Sequence, residues 1–228
     1  MKPNGYIMHE DAYRVIIATG FTRKSRNAKT GEMIQVWILA KKQNPVQAVE
    51  TGHDKVNCGN CPLRGYKGQE RSCYVNVGQA PLAVWKAWKR GSYPKADGVE
   101  MFRGRAVRFG AYGDPVHIPL PLAKSIAAVA STWTGYTHQW RNPLFASWSR
   151  LVMASVETEA DADTAAWKGW RTFRVSKTPP RANEVTCPSA STNGRVQCIK
   201  CGLCKGGSVR ARSICIQPHG KGAAYVGQ

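Results

Sequence analysis

An α/β fold is predicted: an incomplete (β/α) barrel of parallel β/α units, with an N-terminal β-hairpin and a C-terminal cysteine-rich segment. Three observations lead there. Strand-like and helix-like stretches alternate through short links over residues 80–176. Two β-branched and aromatic runs near the N-terminus are joined by a polar link. All eight cysteines fall into two regions that flank the alternating stretch. The chain accordingly divides into 1–54 (hairpin and basic loop), 55–180 (β/α core) and 181–228 (C-terminal segment).

The elements follow in order. AYRVIIATG (12–20) and MIQVWILA (33–40) read as strands, and the link FTRKSRNAKTGE carries a turn signal at Lys29-Thr30-Gly31. A hairpin with a long basic loop results. Residues 41–80 are polar and read as irregular. APLAVWKAWKRG (80–91) places Val84, Trp85 and Trp88 on one helical face, with Pro81 to start it and Gly91 to stop it. RAVRFGAYGDP is a strand running into a glycine-rich turn, and PLPLAKSIAAVAST sets Leu122, Ile126, Val129 and Ala130 at helical spacing. WTGYTHQW is the next strand, followed by a short helical piece in NPLFASWSR. LVMASVE is apolar almost throughout, as a strand buried on both faces is. TEADADTAAWKGW is a helix whose Thr158 and Asp161 form a capping-box-like start, with acidic residues where the helix dipole favours them. RTFRVSK closes the series as a strand.

A doubly wound sheet satisfies this alternation as well as a barrel fragment does. In either, chemistry gathers at the carboxyl ends of the strands. That geometry singles out Gly113, Asp114 and His117 after the first of these strands, and His138 and Gln139 after the second. Ser155 and Glu157 end the third, and Arg174 lies in the fourth.

Composition narrows the function. The chain has 228 residues, 43% of them hydrophobic and 21% charged, as in globular rather than disordered proteins. The formal charge is +19, and from Val185 onward there is no Asp or Glu. Metal-bound cysteinates would offset only about two units per four-thiolate site. A polyanionic partner is favoured, nucleic acid above all, against the alternative of a basic surface that only aids solubility. The apolar run Val15 to Ala18 is too short for a signal peptide or a membrane span, so a cytoplasmic protein with no membrane partner is expected. Thiols stay reduced there, and grouped cysteines then indicate metal binding or catalysis. GKG at 220–222 lacks the spacing and the Ser/Thr of a P-loop, and no nucleophilic triad or pair of nuclease carboxylates is evident.

Cys58, Cys61 and Cys73 form C-x2-C-x11-C; Cys187, Cys198, Cys201 and Cys204 form C-x10-C-x2-C-x2-C, and Cys215 follows. Zinc ribbons pair two separated C-x2-C knuckles, each supplying two corners of a tetrahedron. Three thiolates in the run QCIKCGLC instead suit one iron–sulfur cluster, as does proline directly after Cys187. The C-terminal segment is therefore read as cluster-binding. Three thiolates at the first site would leave one iron of a 4Fe–4S cluster open; His53 or Cys215 would instead close a zinc site there. Cys215, in an apolar run, also reads as a core thiol.

Three cysteines on one cluster followed by β/α units resemble the radical S-adenosylmethionine superfamily, and more narrowly its radical-SAM-like relatives in bacteriophages. The similarity covers roughly residues 55–220 and is carried by CGNCPLRG…CYV, RFGAYGDP, YTHQW, MASVETEADA, GWRTFRV and CPSA…CIKCGLC…HG. The resemblance implies a 4Fe–4S cluster on Cys58, Cys61 and Cys73, an auxiliary cluster on the later four cysteines, and S-adenosylmethionine as cofactor. It implies reductive cleavage of the sulfonium to a 5′-deoxyadenosyl radical, electrons from a reductant protein, and the host cytoplasm as location for a phage-encoded chain. Tyr74 would neighbour the cluster, Gly113 and Asp114 would stand where the family has Gly-Gly-Glu, and Ser155 would lie near the ribose. His138 and Glu157 are the candidate catalytic residues. The cysteine spacing departs from the family's C-x3-C-x2-C, the turn is Gly-Asp-Pro, and fewer than six β/α units are present.

Plainer readings stand beside these. Asp114 before Pro115 suits a turn start, His138 a structural histidine, and Glu157 the N-terminal side of a helix. The tryptophans either stack on bases or fill the core. Two other functions fit the pattern: a zinc-stabilised nucleic-acid-binding protein, and a redox or electron-transfer iron–sulfur protein.

Overall fold

A computed structural model describes residues 2–25, 27–66, 68, 70–219 and 223–225. The tripeptide GKG at 220–222 lies outside them. Nine strands form one sheet in the order β1-β2-β3-β4-β5-β6-β7-β9-β8, with β1 and β8 at its edges. They are β1 (Gly5–Glu10), β2 (Arg14–Thr19), β3 (Ile34–Ala40), β4 (Ala106–Tyr112), β5 (Thr132–Thr137), β6 (Met153–Val156), β7 (Thr172–Val175), β8 (Glu184–Thr186) and β9 (Ser213–Ile216). The helices are α1 (Pro45–Thr51), α2 (Lys55–Cys58), α3 (Ala80–Lys89), α4 (Leu120–Val129), α5 (Glu159–Trp167), α6 (Pro188–Ser191) and α7 (Cys198–Cys201).

The N-terminal hairpin is β2–β3, antiparallel and in continuous register from Arg14↔Ala40 to Thr19↔Gln35. From β3 onward every pairing is parallel. One sheet thus runs through all three sequence segments. No helix among the described residues is long and apolar enough to cross a membrane.

Several elements depart from the sequence reading, among them β8 and β9, which extend the sheet beyond RTFRVSK. GYIMHE forms β1, which extends the hairpin to three strands; its alternation is weak because all but its first residue are partly exposed. The stretch 41–80 is not wholly irregular. Asn44 accepts bonds from Val46 N and Gln47 N and starts α1, and Gly52 in the left-handed region ends it. Elsewhere the local signals hold. Thr158 Oγ1 accepts from Asp161 N at 3.1 Å to cap α5.

Packing decides which side of the sheet is free. Val107 and Phe109 of β4, with Ala154 and Val156 of β6, face α4 and α5 in the main core. Trp140, Trp148 and Trp170 are core residues there; Trp167 is the exception, exposed on α5. On the other side Val15, Ile17, Trp37 and Leu39 are covered by Val84, Trp85 and Trp88 of α3. That cover stops at the hairpin half. Over β5 to β9 the second side is left to the cysteine-bearing segments.

His117 sits in the turn after β4, half-buried, and its Nε2 has no partner among the described residues. Burial, with the Arg14 charge adding to it and Asp11 opposing, pushes its pKa down to about 4. The ring is therefore neutral when folded but protonates more easily in the unfolded chain. Its contribution is complete above about pH 6.5 and is lost as pH falls toward about 4, roughly 2–3 kcal/mol. Urea unfolding across that window should show the loss, and His117→Gln should flatten it; an unchanged slope in the variant contradicts this account.

Candidate functional site

The uncovered side of the sheet forms a cavity of about 460 Å³, within the usual range of ligand pockets. Its floor comes from the period of two along the strands. Arg108 points into it while Val107 and Phe109 point to the core, and Thr134, Tyr136, Ser155, Phe173 and Ile216 join from neighbouring strands. Gly110, at φ 74°, interrupts the alternation as the β3–β4 register shifts.

One end of the cavity carries Cys58, Cys61 and Cys73. Cys58 ends α2, and Gly59 at φ 58° turns the chain back so that Cys61 follows on the same side. Gln139 holds this turn: its Nε2 donates to Cys58 O at 3.2 Å, and its Oε1 accepts from Asn60 N at 3.3 Å. A Cβ on Gly59 would lie 2.7 Å from the Gln139 side chain. Arg64 ties the loop down from behind, bonding to the buried Asp54 carboxylate and to Gly52 O. Cys73 returns to the group through its N–H to Leu63 O at 2.8 Å.

The other end carries Cys187 and Cys198, and a smaller adjoining recess adds Cys201 and Cys204. Cys187 caps α6, whose first residue is Pro188; Cys198 and Cys201 sit one turn apart on α7, and Gly202 in the left-handed region releases the chain toward Cys204. Thr134, Tyr136 and Ser189 line both spaces, so the recess adjoins the cavity. The basic N-terminal loop closes over this end: Lys29 O accepts from Cys198 N at 2.8 Å, and Ala28 O accepts from Gln197 Nε2 at 3.1 Å.

All eight cysteines are free thiols. Burial, reinforced by the neighbouring sulfurs, raises Cys58 well above the ordinary thiol range. Burial likewise pushes Cys204 up to about 12, with Cys187, Cys198 and Cys201 adding to it against a hydrogen bond from Tyr136. In each group the thiolates would repel one another across low-dielectric space. Among the described residues, no group of three or more His, Cys, Asp or Glu is drawn together to hold a metal ion. His53 and Cys215 line neither space. Cys215 is buried in β9, within reach of Thr178 O, as a core thiol is.

The remaining predicted residues fall as follows. Gly113, Asp114, Tyr74, Ser155 and His138 line the cavity. Glu157 does not, but its Oε1 lies 2.8 Å from His138 Nε2. Burial disfavours charge on His138, yet Cys61 and Glu157 outweigh it and hold the ring well above the ordinary imidazole range. Asp114 accepts from Val116 N at 3.2 Å and His138 N at 3.0 Å, so it serves the turn as well as lining the cavity. Gly113 has φ 87°, and a Cβ there would lie 2.6 Å from Ile38 Cβ and 2.8 Å from Ile38 O. Gly113→Ala is expected to cost about 1–3 kcal/mol, read from denaturant midpoints. Arg174 is not at the site; it is buried in an ion pair with Glu184.

Sequence reasoning passed over Arg108 and Lys29, both cavity-lining. The signal for Arg108 was a lone charge in an otherwise apolar strand, in phase opposite to Val107 and Phe109. No protein-family model, curated protein or solved structure matches the chain.

Proposed function

We propose that this is an iron–sulfur protein of radical S-adenosylmethionine type, built on a partial β/α barrel and acting on nucleic acid in the cytoplasm. One observation carries the reading: seven thiols from two distant segments line two adjacent spaces on one face of the parallel strands, with Cys58, Cys61 and Cys73 in the same cavity as Gly113, Asp114 and His138, which follow the carboxyl ends of β4 and β5. The donor chemistry fits. A tetrahedral zinc ion would draw its sulfurs to within about 3.8 Å of one another. The residues that would complete a zinc tetrahedron at the first site, His53 and Cys215, line neither space, whereas three thiolates suffice for a cluster whose irons each take one and whose fourth iron stays open. A positively charged inorganic core also relieves the mutual repulsion of buried thiolates.

Cys58, Cys61 and Cys73 would hold the active cluster; Cys187, Cys198, Cys201 and Cys204 would hold the auxiliary one. When bound, the first supplies one-electron reduction to the sulfonium of S-adenosylmethionine. The chain's own residues then have distinct tasks. Gly113 leaves room beside Ile38 for the turn that Asp114 anchors. Ser155 offers a hydroxyl to the cofactor, and the His138–Glu157 pair is poised to hold or move a proton beside Cys61. Tyr136 and Phe173, with ring centroids 4.2 Å apart, form an apolar wall that excludes water. The basic loop over the four-cysteine end, with the overall charge of +19, supports a polyanionic substrate.

Anaerobic purification with iron, sulfide and zinc analysis tests this. About eight irons with matching sulfide are expected per chain. A colourless protein with stoichiometric zinc contradicts the reading.

A further inference from the structure

Arg108 is a buried cation with no carboxylate partner, although the Cys198 sulfur, when ionised, lies near enough to act on it. It lies mid-strand in β4, only 8% exposed, between Gln35 and Thr134 on the cavity floor. Its Nη2 donates to the Tyr74 hydroxyl at 2.5 Å, and its guanidinium carbon lies 6.0 Å from that ring's centroid. All 14 acidic residues are among the described residues, and none forms an ion pair with it. Asp114 shares the cavity, but its oxygens are bonded to backbone amides.

A guanidinium taken out of water without a counter-charge is costly, and such groups are retained where an oxyanion arrives to meet them. Its surroundings indicate which kind. Lys29, an exposed residue, is also among those that line the cavity. Tyr74 stacks obliquely with His219 at 5.6 Å, and Tyr136 and Phe173 form the facing aromatic wall, all lining the cavity. A buried guanidinium beside flat apolar faces matches a phosphate joined to a planar heterocycle.

We propose that Arg108 anchors the phosphate of a nucleotide, so that the unit seated between the two cysteine groups is a nucleoside monophosphate, free or within a strand. This rests on the reading of the cavity as a nucleic-acid-modifying site and names what occupies it. Tyr74 is the positioning residue that fixes the guanidinium. The nucleotide's phosphate supplies the charge that Arg108 lacks, and its base lies along the aromatic wall.

Isothermal titration calorimetry on the full chain, purified anaerobically, uses the four ribonucleoside 5′-monophosphates, the matching nucleosides, and a short single-stranded oligonucleotide. At least one phosphate-bearing probe should bind, about tenfold or more tighter than its nucleoside, and Arg108→Met should abolish that advantage. Arg108→Lys should recover part of it, and Tyr74→Phe should weaken it while leaving nucleoside binding unchanged. Binding of the monophosphates indicates the free source, and binding of the oligonucleotide alone indicates the strand; either supports the anchor. No phosphate-dependent binding, or an equal advantage in Arg108→Met, overturns it. So does loss of iron from Arg108→Met with nucleotide binding intact, which would make Arg108 a counter-charge to a cluster. Iron content and the response to S-adenosylmethionine are recorded on the same samples. A zinc protein that binds nucleotide through Arg108 would therefore overturn the radical reading and leave the anchor standing.

Discussion

Glu184→Ala is expected to cost about 3–5 kcal/mol of stability, lowering Tm by roughly 8–15 °C in a chain of this size. Arg174 on β7 and Glu184 on β8 flank β9, and their side chains are 0% and 1% exposed. Arg174 Nε donates to Glu184 Oε1 at 2.8 Å and its Nη2 to Oε2 at 2.6 Å. The remaining donors reach Thr178 Oγ1 and Pro179 O, both at 2.8 Å. Arg181 N also donates to Glu184 Oε2 at 2.9 Å. Removing the carboxylate strands a buried guanidinium. Because both partners leave together, Arg174→Met with Glu184→Leu should recover most of the loss. Denaturant midpoints check this, and a cost below about 1 kcal/mol for Glu184→Ala would contradict it. The pair matters to the site because it secures the edge from which the four-cysteine segment departs.

The second large effect concerns metal content. Replacing Cys58, Cys61 or Cys73 singly with serine should remove about four of about eight irons and all response to S-adenosylmethionine, while leaving the other cluster's signal. Cys201→Ser should do the reverse. Cys215→Ser should change iron content in neither cluster, because that thiol is buried in β9 and lines neither space. Iron quantification and visible absorption read all three. Loss of all iron from any one variant would mean that the two sulfur groups do not act as separate sites.

Much of this fold is legible in the sequence, for identifiable reasons. LVMASVE lacks polar alternation because β6 is central and covered on one side while facing the cavity through Ser155 on the other. Thr158 and Pro81 mark helix starts because capping depends on local geometry alone. What was hidden depends on distant partners. β1 is half-exposed and takes its place by pairing with β2 on one side and bridging Lys95 on the other. Spacing shows that cysteines cluster, but only the sheet order brings Cys58 and Cys198 to one cavity. Gln139 looked like a strand-end residue; its clamp on the Cys58 loop joins positions about 80 residues apart in the chain. Arg174 was misleading in the opposite sense, since a charge within a strand near the site reads as functional until its buried carboxylate partner is seen.

The claim that joins these features is that the three-thiol end of the cavity leaves one iron open to S-adenosylmethionine. Electron paramagnetic resonance of the anaerobically reduced protein, with and without S-adenosylmethionine, tests it most directly. The account predicts a changed signal on addition, lost in Cys58→Ser and kept in Cys201→Ser. A signal that S-adenosylmethionine leaves unchanged, in a protein whose iron is fully loaded, would contradict it.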